Sequence, residues 1–392
     1  MNVCMATTTF PRWAGDGQGA FVWGLASALQ RQGVEVTVIA LHTPGAATRE
    51  RMEGVTVLRP AYWWPVVAES LRKEGGGLPI TLRKYPLARI QLPVFAAILA
   101  GTIGRVARDC DVVHAHWTLA GAAAVAARPL HRRPVLVTVQ GSDVFGVTKH
   151  RLAARLTAAV LNAADGVTTL TTALFDAAAT IGVHPNAMEV IPNGVNLRAF
   201  TPVPGGATDA PFILYTGFLI PRKGVRYLVD ALALLPSRLA HVRLVIVGEG
   251  PEEANLRRQV ADLGLEPRVE FAGFQPQTVV ADWMQRAQLF VLPSLEEGQG
   301  VVMLEALASG TPVIASDVDG IREVVTPEVG RRVPPADPPA LAAALTDLLS
   351  DPAQRAAMAA AARRRAEIHY DWDVIARRFL TRYAVLAQGG RS

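Results

Sequence analysis

PSLEEGQGVVMLEALASGTPVIASDVDGIREVV, residues 293–325, is the stretch on which the reading of this chain turns. The apolar run at 289–292 just ahead of it is a strand candidate, VVMLEALA at 301–308 has a helical pattern, and 313–315 is a second strand candidate. Strand, glycine turn, helix and strand make the repeating unit of a parallel sheet with crossover helices. Glu305 is the only charged residue of VVMLEALA and follows Glu297 by eight positions, across the turn Gly298-Gln299-Gly300. A carboxylate in an otherwise apolar helix is costly to desolvate unless something pairs with it, so its partner is elsewhere in the protein or on a ligand. A helix entered through Gly298 and Gly300 presents first-turn N–H groups that lack intrahelical acceptors, a natural site for phosphate.

The same alternation runs outward in both directions. Strand candidates fall at 2–8, 34–40, 55–58, 112–116, 135–139, 166–171 and 189–191, then at 212–216, 242–247, 269–271, 289–292 and 313–315. Between the two sets lies TPVPGGATDAP, 201–211, dense in proline, glycine and small polar residues, which reads as a linker. Two Rossmann-like α/β domains with parallel sheets and a cleft between them are expected, followed by helices at 336–349, 352–368 and 372–387.

At 392 residues, half of them hydrophobic, the chain is long enough for two cores. The net charge of +5 is mild and points to no nucleic-acid partner. Two cysteines, Cys4 and Cys110, cannot build a disulfide framework, which suits a reducing compartment. The N-terminus lacks a basic region followed by an apolar one, so no signal peptide is expected. The longest apolar stretch, 92–104, falls short of the roughly 20 residues that span a bilayer. A cytoplasmic protein is the expectation.

In open α/β sheets ligands collect beyond the carboxyl ends of the strands. Gly217, Gly248, Gly250 and Gly273 fall there in the second half, together with Gly298 and Gly300. Any one glycine has a backbone reason to be in such a turn; the set in one domain points to a phosphate. Lys223, with Arg222 beside it in PRKG, adds cations at the same end. The bland reading of Lys223 is an exposed first-turn lysine, which the helix dipole mildly disfavours. Glu297, just before a helix N-terminus, is held ionised by the dipole, a poor general acid and a good acceptor for sugar hydroxyls. Glu305 suits a diol, whose two hydroxyls both donate to one carboxylate. Phosphate, diol and further hydroxyls together describe a nucleotide sugar.

At these residues the chain resembles glycosyltransferase family 4, the retaining enzymes of GT-B fold. Besides 293–325, the matching segments are GFLIPRKGVRYLVDAL (217–232), VGEGPEEANLR (247–257), VEFAGF (269–274), IPNGVNLRAF (191–200), GDGQGAFVWGLASAL (15–29), VVHAHW (112–117) and VTVQGSD (137–143). The resemblance covers nearly the whole chain. It implies an N-terminal acceptor domain over 1–203, completed by a terminal helix at 370–388 that crosses back, and a nucleotide-sugar domain over 211–369. It implies that Glu305 holds the donor ribose, and that Glu297 with Gly298, Gln299, Gly300, Val301 and Val302 holds the transferred sugar and β-phosphate. Lys223 and Arg222 would meet the diphosphate, Gly15, Gly17 and Gly19 would close over it, and Gly217, Gly248, Gly250 and Phe274 with Gln275 would line the nucleotide. No cofactor is implied, and the acceptor would be a saccharide or a lipid-linked saccharide of cell-envelope polysaccharide or glycolipid synthesis, reached at the inner face of the membrane. Two positions depart from the family pattern: Phe218 stands where an arginine is usual, and Gln140 where a histidine precedes the Gly-Ser-Asp turn. Glutamine hydrogen-bonds a hydroxyl but does not titrate near neutral pH.

Other candidates carry open alternatives. His114 and His116 share one strand face by period 2, so they are an acceptor or sugar contact, a packing pair, or half of a metal site without an evident third ligand. Asp317-Val318-Asp319 imitates an Asp-x-Asp metal motif, but no metal is expected where amides and Lys223 already meet phosphate. Asp143 either caps a helix or touches ligand. YWWPVVAESLRKEGGGLPITLRKYPLAR, 62–89, mixes aromatic and basic residues, which suits a membrane interface or lipid-linked acceptor as well as a solvated loop. The rival activities are a nucleotide-sugar epimerase on the same fold, a dinucleotide-dependent oxidoreductase and a non-catalytic binding module. The oxidoreductase needs Gly-x-Gly-x-x-Gly, and glycines at 15, 17 and 19 have the wrong spacing.

Overall fold

A computed structural model of the chain describes residues 1–13, 16–17, 19–71, 78–148, 150–203 and 211–389. Two compact units divide it: Met1–Asn193 with Trp372–Ser392, and Gly194–Asp371. The division falls ahead of the 201–211 segment because Val195 and Phe200 pack into the second unit's core. The Val195 N–H also bonds the Tyr370 carbonyl at 2.7 Å. Of the 201–211 segment, 204–210 lie outside the described residues.

The first unit holds eight strands: β1 (Asn2–Thr7), β2 (Glu35–Ala40), β3 (Arg49–Met52), β4 (Val55–Leu58), β5 (Val112–His116), β6 (Val135–Thr138), β7 (Gly166–Thr169) and β8 (Met188–Val190). They are ordered β3-β4-β2-β1-β5-β6-β7-β8. All neighbours are parallel except β3, which pairs antiparallel with β4. The parallel sheet is as expected, and the antiparallel edge strand β3 is an addition that was not foreseen. RERM is an edge strand that needs no apolar run. Interior strands such as β6, VLVT, read as largely apolar runs because both faces are covered. On β1, Val3 and Met5 join one core cluster while Cys4 and Ala6 join another across the sheet.

The terminal helix Trp372–Gly389 belongs to this unit and packs on the helix Ala20–Arg31. Gly24 permits the approach: a Cβ there would lie 2.2 Å from the Trp372 indole nitrogen. The apolar run at 92–104 proves to be the middle of a longer helix, Pro86–Val106. By length and composition alone the span Pro86–Asp109 is sufficient to cross a membrane, which corrects the shorter estimate. A third of its most apolar window is buried, with Phe95, Leu99 and Ile103 inside the domain core. Of the aromatic and basic segment, 72–77 lie outside the described residues. Tyr62 is buried while Trp64 is 87% exposed.

The second unit holds six parallel strands: β9 (Phe212–Thr216), β10 (Arg243–Val247), β11 (Val269–Gly273), β12 (Leu289–Leu292), β13 (Val313–Ser316) and β14 (Gly330–Val333). Their order is β11-β10-β9-β12-β13-β14, wound outward from β9 in both directions. The order therefore reverses between β9 and β12, and the loops after those two strands are where such a sheet leaves room for a ligand. The edge strand β14, GRRV, was also not foreseen, since two of its four residues are arginines.

Candidate active site

The loop after β9 and the loop after β12 meet. The Leu295 N–H bonds the Arg222 carbonyl at 2.8 Å, and Gly224, at φ +65°, lies so close that a Cβ would sit 2.1 Å from the Pro293 carbonyl oxygen. This contact brings Lys223 to Glu297, and the ammonium pairs with the carboxylate. Ser294 Oγ donates to the same carboxylate at 3.3 Å, and the Gly298 N–H to its other oxygen at 3.3 Å. Burial works to raise the Glu297 pKa, but the charges of Lys223 and then Arg222 outweigh it and hold the carboxyl below its ordinary value. Glu297 is thus ionised chiefly because of Lys223, and the helix dipole invoked from the sequence is not needed. The side chain of Lys223 is only 14% exposed, so it is not the solvated first-turn lysine of the bland reading. Arg222 is exposed beside it.

The helix Val301–Ala308 starts at Gly300, at φ +73°, and no side chain caps it. The Met303 N–H bonds back to Gly300 at 2.8 Å. The amides of Val301 and Val302 stand at this uncapped end, while the Gly298 amide is engaged by Glu297. Gly320, in the turn after β13, braces the loop: a Cβ there would lie 2.1 Å from the Glu297 carbonyl.

Glu305 lies further along the helix, largely buried, and Gln277 donates to it at 3.3 Å. Among the described residues it has no cation partner. Burial pushes its pKa from 4.5 to about 7, against the smaller lowering effect of Gln277. A nearly unpaired acid at this depth is what a diol-binding role requires and what a purely structural role does not explain.

Two of the candidate glycines are fixed by packing. Gly248, at φ +136°, has no room for a Cβ, which would lie 2.0 Å from the Gly217 carbonyl; at Gly250 it would lie 2.3 Å from that of Leu219. Both therefore have a packing reason, the close approach of the β9 and β10 loops, where the Leu219 N–H bonds Glu249. Phe274 is 54% exposed after β11, while Gln275 donates to its own turn at the Ala272 carbonyl, 2.6 Å away. Phe218 is 37% exposed and its carbonyl accepts from Tyr215. Asp317 and Asp319 both pair with Arg322, and Asp317 also with Arg332.

The candidates of the first unit stand at the carboxyl ends of β5 and β6. The His114 and His116 rings are 4.3 Å apart. His114 is fully engaged, with Nδ1 2.7 Å from the Tyr383 hydroxyl and Nε2 2.6 Å from Thr138 Oγ1. Its place is a tie between β5 and the terminal helix, which is the packing alternative. His116 is different: Gln140 Nε2 lies 3.2 Å from its Nδ1, and the buried Nε2 finds no partner among the described residues. Burial drives the His116 pKa to about 3, so the ring is neutral and Gln140 selects its tautomer. Asp143 accepts from the amides of Thr118, Gln140 and Gly141 at 3.0–3.1 Å. It holds the turn together, the capping alternative. Trp117 adopts φ +67°, rare for a bulky residue. Gly19, at φ +73°, approaches the Thr9 backbone, Gly17 has open space around it, and Gly15 lies outside the described residues.

Gln277, Ser294 and Tyr215 were missed by sequence reasoning. Ser294 lay within reach, three positions before Glu297. Gln277 did not, since only the packing of the helix Gln277–Arg286 against Val301–Ala308 brings it near.

Residues 200–365 match the family model described as Glycosyl transferases group 1, and residues 16–194 that described as Glycosyl transferase 4-like domain. The chain is 32% identical over 409 residues to a D-inositol 3-phosphate glycosyltransferase of Kineococcus radiotolerans, covering 94% of this chain and 90% of that one. It is 35% identical over 215 residues to a GDP-mannose-dependent monoacylated alpha-(1-6)-phosphatidylinositol monomannoside mannosyltransferase of Corynebacterium glutamicum. That match spans half of this chain and only 56% of the relative's length. Among solved structures, sucrose-phosphate synthase from Thermosynechococcus elongatus superposes with a TM-score of 0.81 at 25% identity, over 99% of this chain and 100% of that one.

Proposed function

The chain belongs to glycosyltransferase family 4, and from that premise we propose that it moves a sugar from a nucleoside diphosphate donor to a hydroxyl acceptor, with retention at the anomeric carbon. The observation that carries this reading is Glu305: a buried carboxyl with a pKa near 7 that, among the described residues, has Gln277 alone as a donor, behind an uncapped helix start. The ribose diol donates to Glu305, and the Val301 and Val302 amides with Lys223 and Arg222 take the diphosphate charge. Lys223 is already held at the site by Glu297, so phosphate charge that develops on bond cleavage meets a placed ammonium. The bond from the anomeric carbon to the diphosphate oxygen breaks, the acceptor oxygen bonds to the same face, and the acceptor proton passes to the departing phosphate. Glu297, ionised, accepts hydrogen bonds from the sugar hydroxyls. The scheme draws on no cofactor or metal.

The acceptor is a saccharide or lipid-linked saccharide, a class supported by the relative whose name specifies a monoacylated phosphatidylinositol monomannoside. The test is release of nucleoside diphosphate from a panel of nucleotide sugars, with and without such acceptors. Acceptor-dependent release that falls about 100-fold or more in Lys223→Ala is expected; a variant that releases product at the parent rate refutes the scheme.

A further inference from the structure

We propose that the first unit carries a separate anion site: a groove at the amino ends of its strands that takes a small organic molecule bearing a phosphate or diphosphate. The groove has a volume of about 890 Å³, within the range of small-molecule sites. It is lined by Arg128, Arg132, Arg133 and Arg382, against the single carboxylate of Asp165. Pro134 precedes β6 and Asp165 precedes β7, so the groove opens at the edge of the sheet opposite to His116 and Gln140.

Asp165 does not neutralise this cluster. It pairs with Arg128 at 2.6 Å and accepts the Val135 N–H at 2.8 Å, which leaves three guanidinium groups without a facing carboxylate in the lining. The Nε atoms of Arg133 and Arg382 are buried and have no hydrogen-bond partner among the described residues. Their outer nitrogens are held by backbone carbonyls, Arg133 Nη2 by that of Arg108 and Arg382 Nη2 by that of Ala187 at 3.4 Å, which fixes both guanidinium groups in the groove wall. The backbone also makes room for them. At Gly166 a Cβ would lie 2.9 Å from Arg382 Nη2, and Arg132 ends a short helix at φ +56°, where glycine or asparagine is the ordinary choice. Three like charges without a carboxylate partner repel unless an anion joins them, and the planar guanidinium fork matches phosphate oxygens in pairs. The other walls, Val125, Val385 and Leu386, are apolar and suit the organic part of the ligand.

Inorganic pyrophosphate is the simplest probe, and calorimetric titration the readout. The titration is done on the full chain carrying Lys223→Ala, which removes the ammonium from the proposed donor site and keeps the two sites apart. Pyrophosphate is expected to bind this protein, and adding Arg133→Gln with Arg382→Gln is expected to weaken binding about tenfold or more. Should the arginine pair be needed for folding, Val385→Trp tests the same groove by filling it from an exposed helix position. Loss of all binding with Lys223→Ala alone, or binding indifferent to both the arginine pair and Val385→Trp, would overturn the assignment.

Discussion

Replacing Glu305 by glutamine separates the stability of the second unit from its function. The carboxyl titrates at 4.5 in an ordinary environment and at about 7 in the fold. Each unit corresponds to about 1.4 kcal/mol, so at pH 8 the buried charge costs on the order of 3 kcal/mol of stability. The sign follows from proton binding: between the two pKa values the folded state holds more protons than the unfolded one, so stability falls as pH rises. The cost is absent below about pH 4.5 and complete above about pH 7. Glu305→Gln keeps the shape and the contact with Gln277 without the charge. It is therefore expected to raise the unfolding temperature by roughly 6–12 °C at pH 8 and hardly at all at pH 4.5. The assay is thermal unfolding at both values, paired with nucleoside diphosphate release. The stabilised variant should lose transfer, and added nucleoside diphosphate should protect it less than it protects the parent. Equal stabilisation at both pH values, or a stabilised variant that still transfers sugar at the parent rate, would refute the reasoning.

Four further outcomes follow from the geometry. His114 and His116 are kept neutral by burial, His116 down to about pH 3, so the first unit should lose stability as pH falls below about 6.5, where only the unfolded chain takes up those protons; chemical denaturation from pH 7 to 5 measures it. Tyr383→Phe removes the hydroxyl bonded to His114 and is expected to cost about 1–3 kcal/mol in the same experiment. Gly248→Ala forces a Cβ against the Gly217 carbonyl and should destabilise the second unit by at least about 1–3 kcal/mol. Gly17→Ala, where a Cβ meets nothing within 4 Å, should leave the unfolding temperature unchanged.

Most of the strands legible in the sequence are interior ones, although the edges β8 and β11 were also foreseen, at 189–191 and 269–271. β6, β9 and β12 announce themselves as short, largely apolar runs because their side chains are buried on both faces. The edge strands β3 and β14 carry RERM and GRRV, and nothing about an exposed edge demands an apolar pattern. At the site, Glu297 and Glu305 were visible because one short segment contains both, together with the glycine turn. The Lys223–Glu297 pair was not, since it depends on Gly224 letting the β9 loop lie against Pro293. Gly248 and Gly250 show the converse. Their spacing suggested a phosphate cradle, yet the backbone of the neighbouring loop already fills the space a side chain would take. Three arginines of the groove stand in one stretch, RPLHRRP at 128–134, but nothing in the sequence places Asp165 and Arg382 beside it.

The most direct test is a crystal structure of the protein with a nucleoside diphosphate. Ribose hydroxyls on the Glu305 carboxylate, with phosphate oxygens on the Val301 and Val302 amides and beside Lys223, are what the account requires. A nucleotide bound in full elsewhere, with Glu305 still facing only Gln277, would contradict it.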